Sequence, residues 1–212
     1  MSKPDLSSIE KAARAELDPK FTAREVAISN GRRVIRFSAK AIRAGHRGEL
    51  DEAGVMLAEA GELLAESTAA IADHPDIKIG ILNDAAKEYA EARLFLAMAR
   101  GDELPAASEL GTRMGPYLNG LGEVVGELRR RLLDRLRGDD FAEAERLLEI
   151  MDEVVDLLAS LDYPDGMTGG LRRTTDVARS LTERSRADLT SALVADRLRQ
   201  DMAAFRARRE SD

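Results

Sequence analysis

Residues 117–137 read YLNGLGEVVGELRRRLLDRLR, and this stretch decides the fold class. Its apolar residues recur every three or four positions, which is the spacing of one face of an α-helix. They are Leu118, Leu121, Val125, Leu128, Leu132 and Leu136. Gly138 follows directly and is typical of a helix end. The stretch therefore predicts a long amphipathic helix over 117–137.

The segments on either side favour the same kind of structure. Helical patterns predict further helices over 21–46, 51–72, 79–100, 141–161 and 171–207. A polar lead-in over 1–19 precedes the helices and is expected to stop near Pro19. A connector over 105–116 and a loop over 163–170 separate helices, and Tyr163 and Met167 are expected to pack in that loop. No segment alternates as a half-buried strand does. We expect an all-α, single-domain bundle of six or seven helices over 1–212, with antiparallel neighbours.

The composition excludes several classes of protein. The 212 residues are 44% hydrophobic and 33% charged, which is typical of a folded globular chain. Cysteine is absent, so disulfides and thiolate sites are excluded. His46 and His74 are far apart in sequence, and nothing in the sequence supports a zinc site built on them. No apolar run approaches the ~20 residues that span a bilayer, and the polar start does not resemble a signal peptide. We expect a cytoplasmic protein without membrane contact.

Two pairs of glutamates are the candidate metal ligands. Glu88 and Glu91 are three residues apart, and Glu123 and Glu127 are four apart, so each pair shares one side of a helix. Carboxylates held this close repel each other, and a hard divalent cation such as Mg²⁺, Mn²⁺ or Ca²⁺ relieves that repulsion. The alternative is a solvated acidic surface. By helical periodicity Glu88 lies at the margin of the apolar side and Glu123 and Glu127 lie opposite it, so core positions are not expected.

Basic residues are concentrated in the first predicted helix. The net charge is −7, but 20–50 contains eight Lys or Arg against two Glu. Six of these residues are spaced along the helix so that they could follow a phosphate backbone: Arg32, Arg33, Arg36, Lys40, Arg43 and Arg47. They could equally form ion pairs with acidic helices of this chain or lie at a subunit interface. The glycine-rich turn over 168–176 is interpreted as a capped helix start rather than a phosphate-binding loop.

Three stretches resemble one known family in the same order along the chain. KEYAEA at 87–92, followed by Phe95, resembles the Gln-Glu-Tyr-x-Glu-Ala motif of translin-associated factor X. YLNGLGEVVGEL at 117–128 resembles that family's Asp-Tyr-Leu-x-Gly-x-x-Asp-x-x-Gly-Glu-Leu helix, and SAKAIRAGHR at 38–47 resembles its first helix. The chain therefore resembles the catalytic branch of the translin superfamily.

The resemblance implies a seven-helix, translin-like fold that assembles into a hollow homo-oligomer, often an octamer, with RNA inside. It implies that Glu88, Glu91, Glu123 and Glu127 are both metal ligands and catalytic residues of a Mg²⁺-dependent endoribonuclease acting on single-stranded or small RNA, with Mn²⁺ as an alternative ion. The alternative reading is a non-catalytic scaffold that binds RNA or single-stranded DNA, and a third is a helical interaction protein without nucleic acid. Three residues depart from the family pattern: Lys87 stands for Gln, Glu123 for Asp, and Gly122 for a small apolar residue.

Overall fold

The computed structural model describes residues 5–77 and 80–211, the last two of them by their backbone only. Within these residues all regular structure is helical, in seven helices: α1 Ser7–His46, α2 Leu50–Ala70, α3 Gly80–Arg100, α4 Met114–Arg137, α5 Phe141–Ala159, α6 Asp165–Thr168 and α7 Leu171–Ser211. The predicted all-α class and the number of helices are confirmed. No helix in the described part of the chain is both long and apolar enough to cross a bilayer.

The polar lead-in is the clearest error of the sequence-based prediction. α1 begins at Ser7 and runs through Pro19 without stopping. Proline removes one backbone donor and usually costs an interior helix about 3 kcal/mol. Two side-chain hydrogen bonds link the turns before and after Pro19: Thr22 donates to the Asp18 carbonyl at 3.0 Å, and Lys20 donates to Glu16 at 2.9 Å. Lys20 also donates to Asp76 at 2.8 Å. Good helix formers on both sides therefore outweigh a single proline.

Other boundaries differ by a few residues. α4 begins at Met114, so Pro116 lies in its first turn, where a backbone donor has no helical partner to lose. The predicted loop over 163–170 contains the single turn α6, and α7 continues past the predicted end at 207. The predicted start of α3 at residue 79 lies outside the described residues.

The first of two compact units, Met1–Gly120, is built from α1, α2, α3 and the start of α4. Small residues allow these helices to approach closely. A Cβ added at Gly45 of α1 would lie 2.8 Å from Phe95 of α3, and one at Gly61 of α2 would lie 2.6 Å from the Tyr89 hydroxyl. The two aromatic side chains of α3 therefore occupy notches that only glycine leaves open.

The second unit, Leu121–Asp212, contains the rest of α4 together with α5, α6 and α7. The largest fully buried side chains here follow the predicted apolar stripes and include Leu128, Leu132, Leu147, Met151 and Leu158. Arg129 of α4 reaches α7, where it donates to Ser185 at 2.9 Å and pairs with Asp188 at 2.8 Å. The boundary between the units falls inside the continuous helix α4, and the single domain over 1–212 stays a prediction.

Candidate metal centre

A glycine allows α4 to lie directly on the backbone of α3. A Cβ added at Gly120 would be 2.7 Å from the Lys87 carbonyl oxygen and 2.9 Å from the Glu91 backbone nitrogen. Real side chains are essentially never that close to backbone atoms, so any other residue would push the helices apart. α4 continues unbroken, and Glu123 lies less than one turn beyond Gly120 on the same helix.

Three of the four predicted glutamates come together. Glu88, Glu91 and Glu123 each offer a carboxylate oxygen, and these oxygens lie within 4.8 Å of one another. Glu88 and Glu123 are half-buried, whereas Glu91 is only 8% exposed. Glu127, one turn farther along α4, is half-buried and is not part of this group.

The helical-periodicity argument made no statement about Glu91, and the structure places this residue in the core. Its chain neighbours Ala90 and Ala92 are buried, and the Gly120 backbone covers its peptide nitrogen. α3 is covered on most of its circumference, because eleven of its residues are buried. A single apolar stripe does not describe a helix that is enclosed in this way.

The chemistry of the group fits a hard cation. All three donors are carboxylate oxygens, which suits Mg²⁺, Mn²⁺ or Ca²⁺ rather than copper. Buried carboxylates that face one another carry an electrostatic cost unless a positive charge is nearby. One such charge is Lys87, whose Nζ lies 3.6 Å from Glu88 Oε1. The acidic triad could hold a metal ion.

The six predicted RNA-binding residues divide into two sets on α1. Arg33 pairs with Glu59 of α2 at 3.2 Å, and Arg47 pairs with Glu49, so both follow the ion-pair alternative. Arg32, Arg36 and Arg43 are exposed and make no hydrogen bond or ion pair with any residue that the structure describes. Lys40 is also exposed, with its Nζ 5.9 Å from the centre of the Phe37 ring.

The glycine-rich turn behaves as a helix start. Gly169 and Gly170 adopt positive φ angles of 67° and 90°, which glycine tolerates best, and the Thr174 amide donates to the Gly170 carbonyl at 3.3 Å. Tyr163 and Met167 were expected to pack near this turn. Both are exposed, so that expectation was wrong.

The structural role of Gly120 was not predicted from the sequence. Its position within a Gly-rich helix, Gly120, Gly122 and Gly126, was a visible signal of close packing. In the second unit a Cβ at Gly122 would lie 2.5 Å from the Thr174 side chain. Gly120 and Gly122 therefore mark close contacts of α4, whereas a Cβ at Gly126 would meet only Leu181 at 3.8 Å.

Comparisons with known proteins agree with this architecture. No protein-family model matches the sequence. An uncharacterized protein of Methanocaldococcus jannaschii is 28% identical over 185 residues, which cover 86% of this chain and 82% of that protein. The structure of NeC3PO without ligand is similar in fold, with a TM-score of 0.73 at 18% identity, covering 91% of this chain and 99% of that one.

Two structures of AfC3PO are more similar in sequence. The structure of its complex with duplex RNA has a TM-score of 0.79 and 35% identity, covering 87% of this chain and 96% of that chain. The structure of AfC3PO itself has the same TM-score and identity and covers 97% of that chain. This identity extends over most of both chains and accompanies the same all-helical fold. The chain therefore belongs to the translin superfamily.

Proposed function

We propose that this chain is a Mg²⁺-dependent endoribonuclease that cuts single-stranded or small RNA inside a hollow homo-oligomer. The convergence of Glu88, Glu91 and Glu123 carries the proposal, since three carboxylate oxygens within 4.8 Å form a natural site for a divalent ion. Mg²⁺ is the proposed ion, with Mn²⁺ as an alternative. The proposed metal ligands are these three glutamates, and Glu127, which the sequence also predicted as a ligand, is the fourth proposed catalytic residue.

The four glutamates have two different roles in the proposed hydrolysis. Glu88, Glu91 and Glu123 would hold the divalent ion, which when bound would supply positive charge to favour ionisation of a water and to offset the charge on the phosphate. Glu91 is the most buried of the three and is therefore the ligand whose position is best defined. Glu127 lies outside the group and is left to accept a proton from the attacking water. The water oxygen bonds to phosphorus, the P–O bond to the leaving nucleotide breaks, and the leaving oxygen takes up a proton.

RNA is the proposed polymer because AfC3PO, at 35% identity, has been solved with duplex RNA. The exposed cations of α1 provide a complementary surface. Arg32, Arg36, Lys40 and Arg43 lie within a narrow sector of the helix and could contact successive phosphates. Arg33 and Arg47, the other two members of the predicted RNA-binding set, form ion pairs with Glu59 and Glu49, so we do not assign phosphate contacts to them.

Self-association is supported by apolar side chains that remain exposed at the ends of two helices. On α1 they are Leu6, which precedes the first turn, Ile9, Leu17 and Phe21, and on α7 they are Val194, Leu198, Met202 and Phe205. Contiguous exposed apolar surface on a soluble chain marks an interaction site. We propose a homo-oligomer, with eight subunits as the family resemblance implies.

A non-catalytic scaffold that binds RNA or single-stranded DNA is the second candidate. One observation favours it: Lys87 lies 3.6 Å from Glu88 and offsets part of the negative charge that a metal ion would neutralise. In that case the glutamates would be structural, and RNA would be bound without being cut.

Cleavage of labelled single-stranded RNA tests the proposal. With Mg²⁺ the wild type should cut the RNA, and a chelator should abolish cutting. Glu91→Gln and Glu127→Gln should each reduce kcat by roughly a hundredfold or more, by analogy with the loss of one key electrostatic group. Glu62→Gln, which changes an exposed residue of α2, is the matched control and should cut normally.

The other outcomes point to the alternatives. RNA binding without cleavage by the wild type would establish the scaffold. Full activity of Glu91→Gln would remove the proposed metal centre. An absence of RNA binding even at low salt would leave a helical interaction protein without nucleic acid.

A further inference from the structure

One cation beside the candidate metal centre is not used by the proposed chemistry. Lys87 precedes Glu88 on α3, and its Nζ lies 3.6 Å from Glu88 Oε1, with the two side chains 26% and 29% exposed. Lys87 also precedes Glu91 by four residues, so the two side chains project from the same side of the helix. The ammonium group thus belongs to the immediate surroundings of the carboxylates.

The charges in this region make the lysine a counter-ion. Three carboxylates whose oxygens lie within 4.8 Å carry a formal charge of −3 when ionised, and the ammonium reduces it to −2. Partial burial of Lys87, Glu88 and Glu123 and the deeper burial of Glu91 limit screening by water, so each charge acts strongly on its neighbours. The lysine therefore reduces the electrostatic repulsion among the carboxylates, as a divalent cation would.

We infer that Lys87 competes with the divalent cation for the carboxylate group, so that metal binding requires the ammonium to leave Glu88. This inference rests on the proposed metal centre. A lysine suits the role because its charge is carried on a flexible four-carbon stem that can move away without disturbing the backbone. Lys87 would then raise the concentration of metal ion that is needed to half-saturate the site.

The size of the effect follows from the charges. Even with the full screening of water, a unit charge that faces a divalent ion at about 4 Å changes its affinity by roughly thirtyfold. Because the lysine can move away from the bound ion, part of the lost affinity is recovered. A net decrease in metal affinity of about tenfold remains.

Mn²⁺ titration of the full-length chain, followed by electron paramagnetic resonance of free Mn²⁺, measures the competition without any RNA present. Lys87→Gln should bind Mn²⁺ about tenfold more tightly than the wild type, and Lys87→Met should do the same. Lys87→Arg retains the charge and should bind close to the wild-type level. Lys11→Gln removes the same charge from an exposed position of α1 and is the matched control, with no expected change.

The outcomes separate this inference from the proposed function. If the wild type and Lys87→Gln bind Mn²⁺ equally, the metal centre stands and the competition is refuted. If Lys87→Gln binds Mn²⁺ when the wild type does not, the competition is supported in its strongest form. If neither binds Mn²⁺, the metal centre itself fails and the inference falls with it.

Discussion

At the scale of single residues, Gly120 controls the geometry of the candidate metal centre. Its missing side chain leaves room for the Lys87 carbonyl and the Glu91 amide, which would lie within 3 Å of a Cβ at this position. Backbone atoms inside a packed helix cannot move aside as a flexible side chain can. The separation of α3 from the first turns of α4 therefore depends on this one residue.

Substitution of Gly120 by alanine should be destabilising and should also weaken metal binding. The added methyl group must push α4 away from α3, at a cost of about 1–3 kcal/mol for an overpacked site. Thermal unfolding should show a lower Tm, and Mn²⁺ titration should show a lower affinity as Glu123 shifts. Gly126→Ala is the matched control, since its Cβ would meet only Leu181 at 3.8 Å, and it should be neutral or stabilising by up to about 1 kcal/mol. Equal behaviour of the two variants would contradict the role assigned to Gly120.

At the scale of elements, α1 combines a packed side with an exposed basic side. Ala27, Val34 and Ala41 are buried against α2 and α3, while Arg36 and Arg43 are exposed without a described ion-pair partner. Arg33 lies closer to α2 and is neutralised by Glu59. Basic residues of α1 that look equivalent in the sequence therefore differ in exposure and in ion pairing.

Replacement of Arg36 and Arg43 by glutamine should weaken RNA binding without unfolding the chain. Each lost phosphate contact should reduce the salt dependence of binding to a single strand by about 0.7 in the log–log slope, or about 1.4 for the pair. Binding of a labelled single-stranded RNA at several salt concentrations measures this slope. Arg33→Gln should leave it unchanged, because Arg33 is engaged by Glu59. An unchanged slope in the double variant would assign these cations to another role.

At the scale of the whole molecule, the apolar residues near the end of α7 point to self-association. Val194, Leu198, Met202 and Phe205 are each about half or more exposed and recur every three or four residues, so they form one continuous stripe. Contact of such an apolar stripe with water is unfavourable for an isolated chain, whereas an oligomer can bury the stripe between subunits.

Introduction of aspartate at Leu198 and Phe205 should dissociate the oligomer, because burying two carboxylates in an apolar interface is strongly unfavourable. Size-exclusion chromatography with light scattering should show a smaller species than for the wild type. The double variant Gln200→Asp with Ala203→Asp places the same charges on the opposite side of α7 and should retain the wild-type mass. A wild type that is itself monomeric would refute the oligomer.

The sequence by itself determined the helices, the pairs of glutamates within α3 and α4, and the resemblance to the translin superfamily. Helical periodicity and short motifs are local properties, so they can be read without knowledge of the packing. It did not reveal the continuation of α1 through Pro19, because local propensity there competes with a single lost donor.

Only the tertiary structure decided that Glu123 joins Glu88 and Glu91, that Glu91 is buried, and that Lys87 contacts the group. Whether Glu123 joins the other two glutamates depends on how closely α3 and α4 approach each other. The missing side chain of Gly120 allows α4 to approach the backbone of α3. The sequence of one segment does not tell which other helix its glycine will face.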